Sequence, residues 1–119
     1  MKATKEKVLS NGDTVRVRMF GAKVGSENIM TVAKYRATGD GPSLIAIRDL
    51  MIPYTELVRH AKDSEGNDAG PLAVPLAGVF DDYFAGAYDL MAEWLSFTIE
   101  AQFGSFFSVG KKSTQPADG

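Results

Sequence analysis

Residues 75–103, PLAGVFDDYFAGAYDLMAEWLSFTIEAQF, are the most distinctive stretch of this sequence. Apolar residues recur there at alternating intervals of four and three, the spacing that places side chains on one face of a helix. These are Leu76, Phe80, Tyr83, Ala87, Leu90, Trp94, Phe97 and Ala101. Pro75 suits the first turn of a helix because that turn has no use for its missing N–H. The pattern predicts a single long helix over residues 75–103.

A second apolar stripe runs beside the first in the same segment. It consists of Phe84, Tyr88, Met91, Leu95, Ile99 and Phe103. Only a narrow polar ridge remains, made of Asp82, Asp89, Glu93, Ser96 and Glu100. A helix that is apolar around most of its circumference needs cover on two sides. We therefore expect a homo-oligomer, a helical partner protein, or both. The alternative is a compact monomer in which the ends of this segment fold over the rest.

The N-terminal part predicts a β-hairpin over residues 7–20. Asn11-Gly12 lies between two short apolar runs, which is the usual signal for a two-residue hairpin turn. The second strand alternates, so Arg16 and Arg18 share the face opposite the apolar residues. Their side chains form either a solvated strand face or a patch that contacts a partner.

Two further helices are predicted between the hairpin and residue 75. Residues 26–37 can form a helix capped by Ser26, although several of them are also good strand formers, so a strand remains open. Residues 43–61 carry one broad helical stripe, which Pro53 either kinks or divides. His60 falls near the end of this helix, where an imidazolium would suit the negative pole.

These elements predict a mainly α fold with a small N-terminal β-hairpin, in one α+β domain over residues 1–104. Residues 105–119 lose the apolar periodicity and are predicted to form a flexible C-terminal tail. Phe106 and Phe107, at its start, are either a last anchor of the core or an exposed docking element.

Composition excludes most catalytic chemistry. The 119 residues include no Cys and one His, so disulfides, thiolate nucleophiles and Cys-ligated metals are absent. No Ser-His-Asp set, phosphate-binding loop or dinucleotide fingerprint is present. The polar residues 62–71 lack the spacing of a calcium-binding loop and are expected to be a solvated loop. We expect no enzyme activity, no cofactor and no metal.

Charge is distributed unevenly along the chain. Residues 1–60 carry ten Lys/Arg and six Asp/Glu, while residues 61–119 carry three and nine, so the halves have net charges of about +4 and −6. The acidic pI of 5.3 and the scattered basic residues argue against nucleic-acid binding. No leader and no uninterrupted apolar run of membrane-spanning length occurs. A cytoplasmic protein without membrane contact is expected.

The layout resembles a known family. A strand–Asn-Gly–strand unit is followed by Leu50-Met51-Ile52-Pro53-Tyr54, a polar loop, an apolar helix and a polar tail with Gly110-Lys111-Lys112. This order is similar to that of the tail assembly chaperones of long-tailed bacteriophages. The resemblance implies a protein of the host cytoplasm that binds and solubilises the long helical tape measure protein and helps recruit tail tube subunits. It also raises the alternative that a longer product arises by frameshifting near residues 110–112.

On this hypothesis the partner-binding anchors are aromatic, and the Arg16/Arg18 face orients the partner. The predicted anchors are Phe80, Tyr83, Phe84, Trp94 and Phe97. Two other functions remain open. One is a regulatory or inhibitor protein that binds a basic partner through Asp82, Asp89 and Glu93. The other is a minor virion protein, such as a head-completion or tail-terminator subunit.

Overall fold

The computed structural model describes residues 3–62 and 64–114 of the chain. Within them, a four-stranded antiparallel sheet in the order β1-β2-β3-β4 is combined with four α-helices. The strands are β1 (Thr4–Val8), β2 (Thr14–Arg18), β3 (Thr55–Lys62) and β4 (Asp68–Pro75). The helices are α1 (Ala22–Thr38), α2 (Gly41–Met51), α3 (Phe80–Tyr83) and α4 (Tyr88–Thr114).

The predicted N-terminal hairpin is present as β1 and β2, but its turn is longer than expected. The last paired residues are Val8 and Thr14, so five residues form the connection instead of two. The N–H of Gly12 donates to the carbonyl of Leu9 at 2.9 Å, and Gly12 has φ 93°. Gly is required there because a side chain rarely adopts this φ.

A mainly α fold with only a small hairpin is wrong, because β3 and β4 enlarge the sheet. The predicted helix over 43–61 ends at Met51, and Pro53 lies in a 3₁₀ turn, Ile52–Tyr54. Proline cannot donate to the helical ladder, and the chain leaves the turn extended at Thr55. Thr55 and Leu57 then face the core at a spacing of two, as in a strand.

The backbone of His60 therefore lies in β3, where it pairs with Pro71, and not at the end of a helix. Because this backbone is a strand, there is no helix end at His60 for the predicted capping role. The side chain of His60 falls outside the described part. The solvated loop predicted over 62–71 is shorter than expected, since β4 begins at Asp68. Pro71 and Pro75 in β4 suit an edge strand, where a missing N–H costs no ladder hydrogen bond.

The single long helix predicted over 75–103 is also wrong. A 3₁₀ turn, Leu76–Gly78, and the short α3 precede α4, and the chain reverses at Gly86, which has φ 71°. This reversal stacks the ring of Phe84 on that of Trp94, with 5.8 Å between their centroids. One end of the apolar segment therefore folds onto the rest, which is one feature of the compact-monomer alternative.

The first helix begins earlier and the last helix ends later than the sequence predicted. α1 is a helix, which answers the open choice between helix and strand, and it begins four residues before Ser26. α4 continues through residues 105–114, where a flexible tail was predicted, while residues 115–119 lie outside the described part. Asp40 caps α2, because its Oδ2 accepts hydrogen bonds from the N–H and the Oγ of Ser43 at 2.9 and 2.8 Å.

The core lies between one face of the sheet and the helices. Val15 and Val17 of β2 and Leu57 of β3 supply the sheet side of this core and are almost fully buried. The main helical contributors are Val32, Ile47, Met51, Trp94, Leu95, Ile99 and Phe103. This inner face of the sheet positions α4, which carries most of the surface considered below.

Candidate partner-binding surface

The five aromatic residues predicted as partner anchors take up different positions. Trp94 is 0% exposed and Phe84 is 3% exposed, so both belong to the core. Phe80, Tyr83 and Phe97 are half-buried and pack against that core. In this conformation Trp94 and Phe84 cannot contact a partner, whereas the other three retain accessible surface.

Tyr83 belongs to a polar cluster beneath the hairpin turn. Its hydroxyl donates to Oδ2 of Asp13 at 2.7 Å and accepts from Nδ2 of Asn11 at 2.9 Å. Burial and the hydrogen bond to Asp13 raise the pKa of Tyr83 to about 12. The guanidinium of Arg59 lies over the ring, 5.5 Å from its centroid. The cluster joins the hairpin turn to α3. The sequence pattern did not predict this contact.

The two arginines predicted to orient a partner differ in their surroundings. Arg16 lies in register between Glu6 and Glu56 and forms ion pairs with them at 2.8 and 3.1 Å. The hydrogen bonds to these glutamates raise the pKa of Arg16, and their charges offset its own. Arg18 is exposed, and its guanidinium lies 4.8 Å from the centroid of the Tyr54 ring. Arg18 is therefore the more accessible charge for a partner.

Polar side chains of α4 hold the hairpin at two points. Glu93, from the predicted acidic ridge, accepts hydrogen bonds from the N–H and the Oγ of Ser10 at 2.9 and 2.6 Å. These bonds lower the pKa of Glu93. Two turns later, Gln102 accepts from the N–H of Phe20 at 2.9 Å and donates to the carbonyl of Arg18 at 2.8 Å. The sequence did not predict this contact, because Gln102 differs from its neighbours only in being a polar residue beside the apolar stripes.

An open groove lies along the exposed side of α4 and has a volume of about 540 Å³. We call it the α4 groove. Lys7 of β1 lines one side, and Phe97 supplies apolar surface on the α4 side. The other α4 residues that line it are Asp89, Ala92, Glu93, Ser96 and Glu100. The groove thus joins most of the predicted acidic ridge to one predicted aromatic anchor, whereas Asp82 lines a separate pocket beside Tyr83.

Several large apolar side chains are exposed elsewhere. Met30 on α1 is 76% exposed, and Tyr88 and Phe106 on α4 are 69% and 53% exposed. Phe107 beside it is half-buried, with the Arg36 guanidinium 4.4 Å from the centroid of its ring. The two residues of the Phe106-Phe107 pair therefore lie in different environments. Phe106 is exposed, and Phe107 packs against the core.

Neither a metal cluster nor a membrane helix is found where the structure describes the chain. Among residues 3–62 and 64–114, no three His, Asp or Glu side chains are grouped as metal ligands. In the same residues, none of the helices has the length and hydropathy needed to cross a bilayer.

Comparison with known proteins gives one family match. A family model described as phage tail assembly chaperone protein, TAC, matches residues 45–115, which is more than half of the chain. The matched segment begins within α2 and takes in β3, β4, α3 and all of α4. No curated protein and no solved structure gives a significant match.

Proposed function

This chain belongs to the phage tail assembly chaperone family, and we propose that it binds the tape measure protein of its phage and keeps it soluble. In this proposal it also helps recruit tail tube subunits, acts in the host cytoplasm and performs no covalent chemistry. The family match over residues 45–115 carries the proposal. That segment contains α4, with the α4 groove and two exposed aromatic residues.

The exposed aromatics of α4 support capture of an apolar client. Tyr88 and Phe106 are 18 residues apart, which is five helical turns, so they lie on the same face about 27 Å apart. Burying an exposed aromatic side chain contributes roughly 1.5–3 kcal/mol before the cost of association. Because Trp94 and Phe84 are already in the core, the chaperone can keep its own fold while these outer residues contact the client.

We also propose that copies of this chain associate with one another. The sequence predicts this association from an apolar segment too large for one chain to cover, and the turn at Gly86 removes much of that excess. Support now comes from the remaining exposed apolar residues and from the opposite charges of the two halves of the chain. Sedimentation of the purified chain over a range of concentrations tests this association.

Co-expression with the tape measure protein of the same genome tests the chaperone function. We expect the soluble fraction of that protein to rise with the wild-type chain and to fall again with Tyr88→Gln combined with Phe106→Gln. Met30→Gln is the matched control, because Met30 is exposed but lies outside the family match. If the wild-type chain leaves the solubility of the tape measure protein unchanged, the proposed function is wrong.

A further inference from the structure

The helices leave part of the inner face of the sheet uncovered, above β1. Lys5 pairs with Val17 and Lys7 pairs with Val15, so these lysines face the same side as the two valines. Both valines are buried under the helices, whereas every residue of β1 is exposed. The helical layer therefore ends at α4, and the α4 groove lies along this open border.

The open border has the dimensions for one more helix. Packed helices lie about 8–10 Å apart, and neighbouring strands about 4.8 Å apart. Because α4 contacts β2 and β1 is the next strand and the edge of the sheet, a helix placed beside α4 would lie over β1 and the sheet edge. Ala92 and Ser96 are small, exposed and one turn apart on α4, so another backbone can approach closely there. Phe97 adds an apolar contact at the same place.

The charged side chains of the α4 groove indicate what kind of helix would fit there. The α4 side of the groove carries three acids, Asp89, Glu93 and Glu100, whereas Lys5 and Lys7 lie on the β1 side. Glu93 is already bonded to Ser10, which leaves Asp89 and Glu100 at the two ends of the groove. They are eleven residues apart, so about 16 Å separates their positions along α4. On the edge that faces α4, a complementary helix would carry Lys or Arg about three turns apart, on either side of a short apolar stripe.

We propose that the α4 groove binds one amphipathic helix of the client, with basic residues near Asp89 and Glu100 and an apolar stripe against Ala92 and Phe97. The bound helix would extend the helical layer over β1. This inference rests on the proposed function, since the client in question is the tape measure protein.

Site-specific cross-linking tests the position of the client. The chain has no Cys, so Ser96→Cys creates a unique attachment site for a photo-cross-linker in the groove. Ser64→Cys is the matched control, because Ser64 is also exposed but lies in the turn between β3 and β4, outside the groove and outside α4. In complexes with the tape measure protein, Ser96→Cys should cross-link to a basic amphipathic segment with about ten times the yield of Ser64→Cys. Equal yields, or cross-links between two copies of this chain, would overturn the inference.

Charge reversal tests the recognition itself. Asp89→Lys combined with Glu100→Lys should weaken binding of the tape measure protein about tenfold, and less at high salt. The control with the same net charge is Glu27→Lys combined with Asp81→Lys, two exposed acids outside the groove. If the wild-type chain captures the client and both double variants bind equally well, only the groove assignment fails. If the wild-type chain captures no client, the proposed function fails with it.

Discussion

The indole N–H of Trp94 donates a hydrogen bond of 3.1 Å to Oγ1 of Thr55, which in turn donates to the carbonyl of Met51 at 3.0 Å. Trp94 and Thr55 are 0% and 2% exposed. This short chain of hydrogen bonds joins α4 to the first residue of β3 and to the end of α2. It satisfies the one polar atom of the tryptophan side chain, which burial would otherwise make costly.

Replacing Thr55 should therefore destabilise the protein more than its volume suggests. Thr55→Val keeps the shape but leaves the indole N–H without its acceptor, so we expect a loss of about 1–3 kcal/mol in the free energy of unfolding. Thr98→Val is the matched control, because Thr98 is equally buried but its hydroxyl donates to the carbonyl of Leu95 within α4. Urea denaturation measures both variants. Equal losses would show that the Trp94 hydrogen bond contributes little.

The reversal at Gly86 should depend on its positive φ. Gly86→Ala should cost about 1–2 kcal/mol, because a residue with a side chain is strained in the left-handed region. Apart from Gly86 itself and its two chain neighbours, no atom of the described residues lies within 4 Å of the added methyl group, so the cost is conformational and not a clash with packed neighbours. Gly78→Ala is the control, since Gly78 has the same open space without a positive φ. Thermal unfolding should separate the two variants, and the same stability for both would contradict this account.

The limits of the sequence patterns follow from particular residues. Asn11-Gly12 located the hairpin because its signal is local. The stripe through Leu44, Ile47 and Met51 located α2, but the same spacing continued past Pro53 to Val58, which lies in β3. An apolar spacing of about three and a half residues gives no sign that the chain changes from a helix to the two-residue alternation of a strand. The strand pairing that decides the matter joins residues distant in the sequence.

The burial of two predicted anchors could not be read from the sequence, for a related reason. Trp94 and Phe84 are large and apolar, and such residues serve equally as core or as contact surface. Their burial depends on Gly86, whose chain reversal brings α3 back onto α4. Exposure is therefore a property of the tertiary fold. The polar ridge was predicted from the helical spacing, but the hydrogen bond that Glu93 accepts from Ser10 depends on the position of the hairpin turn.

Tyr83 should ionise at unusually high pH. Its pKa of about 12, caused by burial and then by the hydrogen bond to Asp13, means that the folded state favours the neutral phenol. Its contribution to stability is therefore fully present below the ordinary value of 10 and is lost as the pH rises from 10 towards 12. The ultraviolet titration difference between the wild type and Tyr83→Phe isolates this group from the other tyrosines. A transition near pH 10 in that difference would contradict the predicted environment.

The attachment of the hairpin to α4 through Glu93 should weaken at acidic pH. Hydrogen bonds from Ser10 lower its pKa, so its stabilising contribution is present above the ordinary value of 4.5 and is lost as the pH falls through the lowered value. Glu93→Gln removes the charge that accepts both bonds, so it should be less stable than the wild type at neutral pH. The difference should shrink under acidic conditions, where the wild-type carboxylate is protonated as well.

Denaturation of wild type and Glu93→Gln at a series of pH values measures this difference. Ser10→Ala removes one donor from the same contact and should reduce the pH dependence in the same direction, because Ser10 is the first cause of the lowered pKa. Glu27→Gln, a change at an exposed glutamate of α1, serves as the control for the loss of one surface charge. If the stability difference between wild type and Glu93→Gln stays constant from neutral to acidic pH, the contact with Ser10 does not hold the turn.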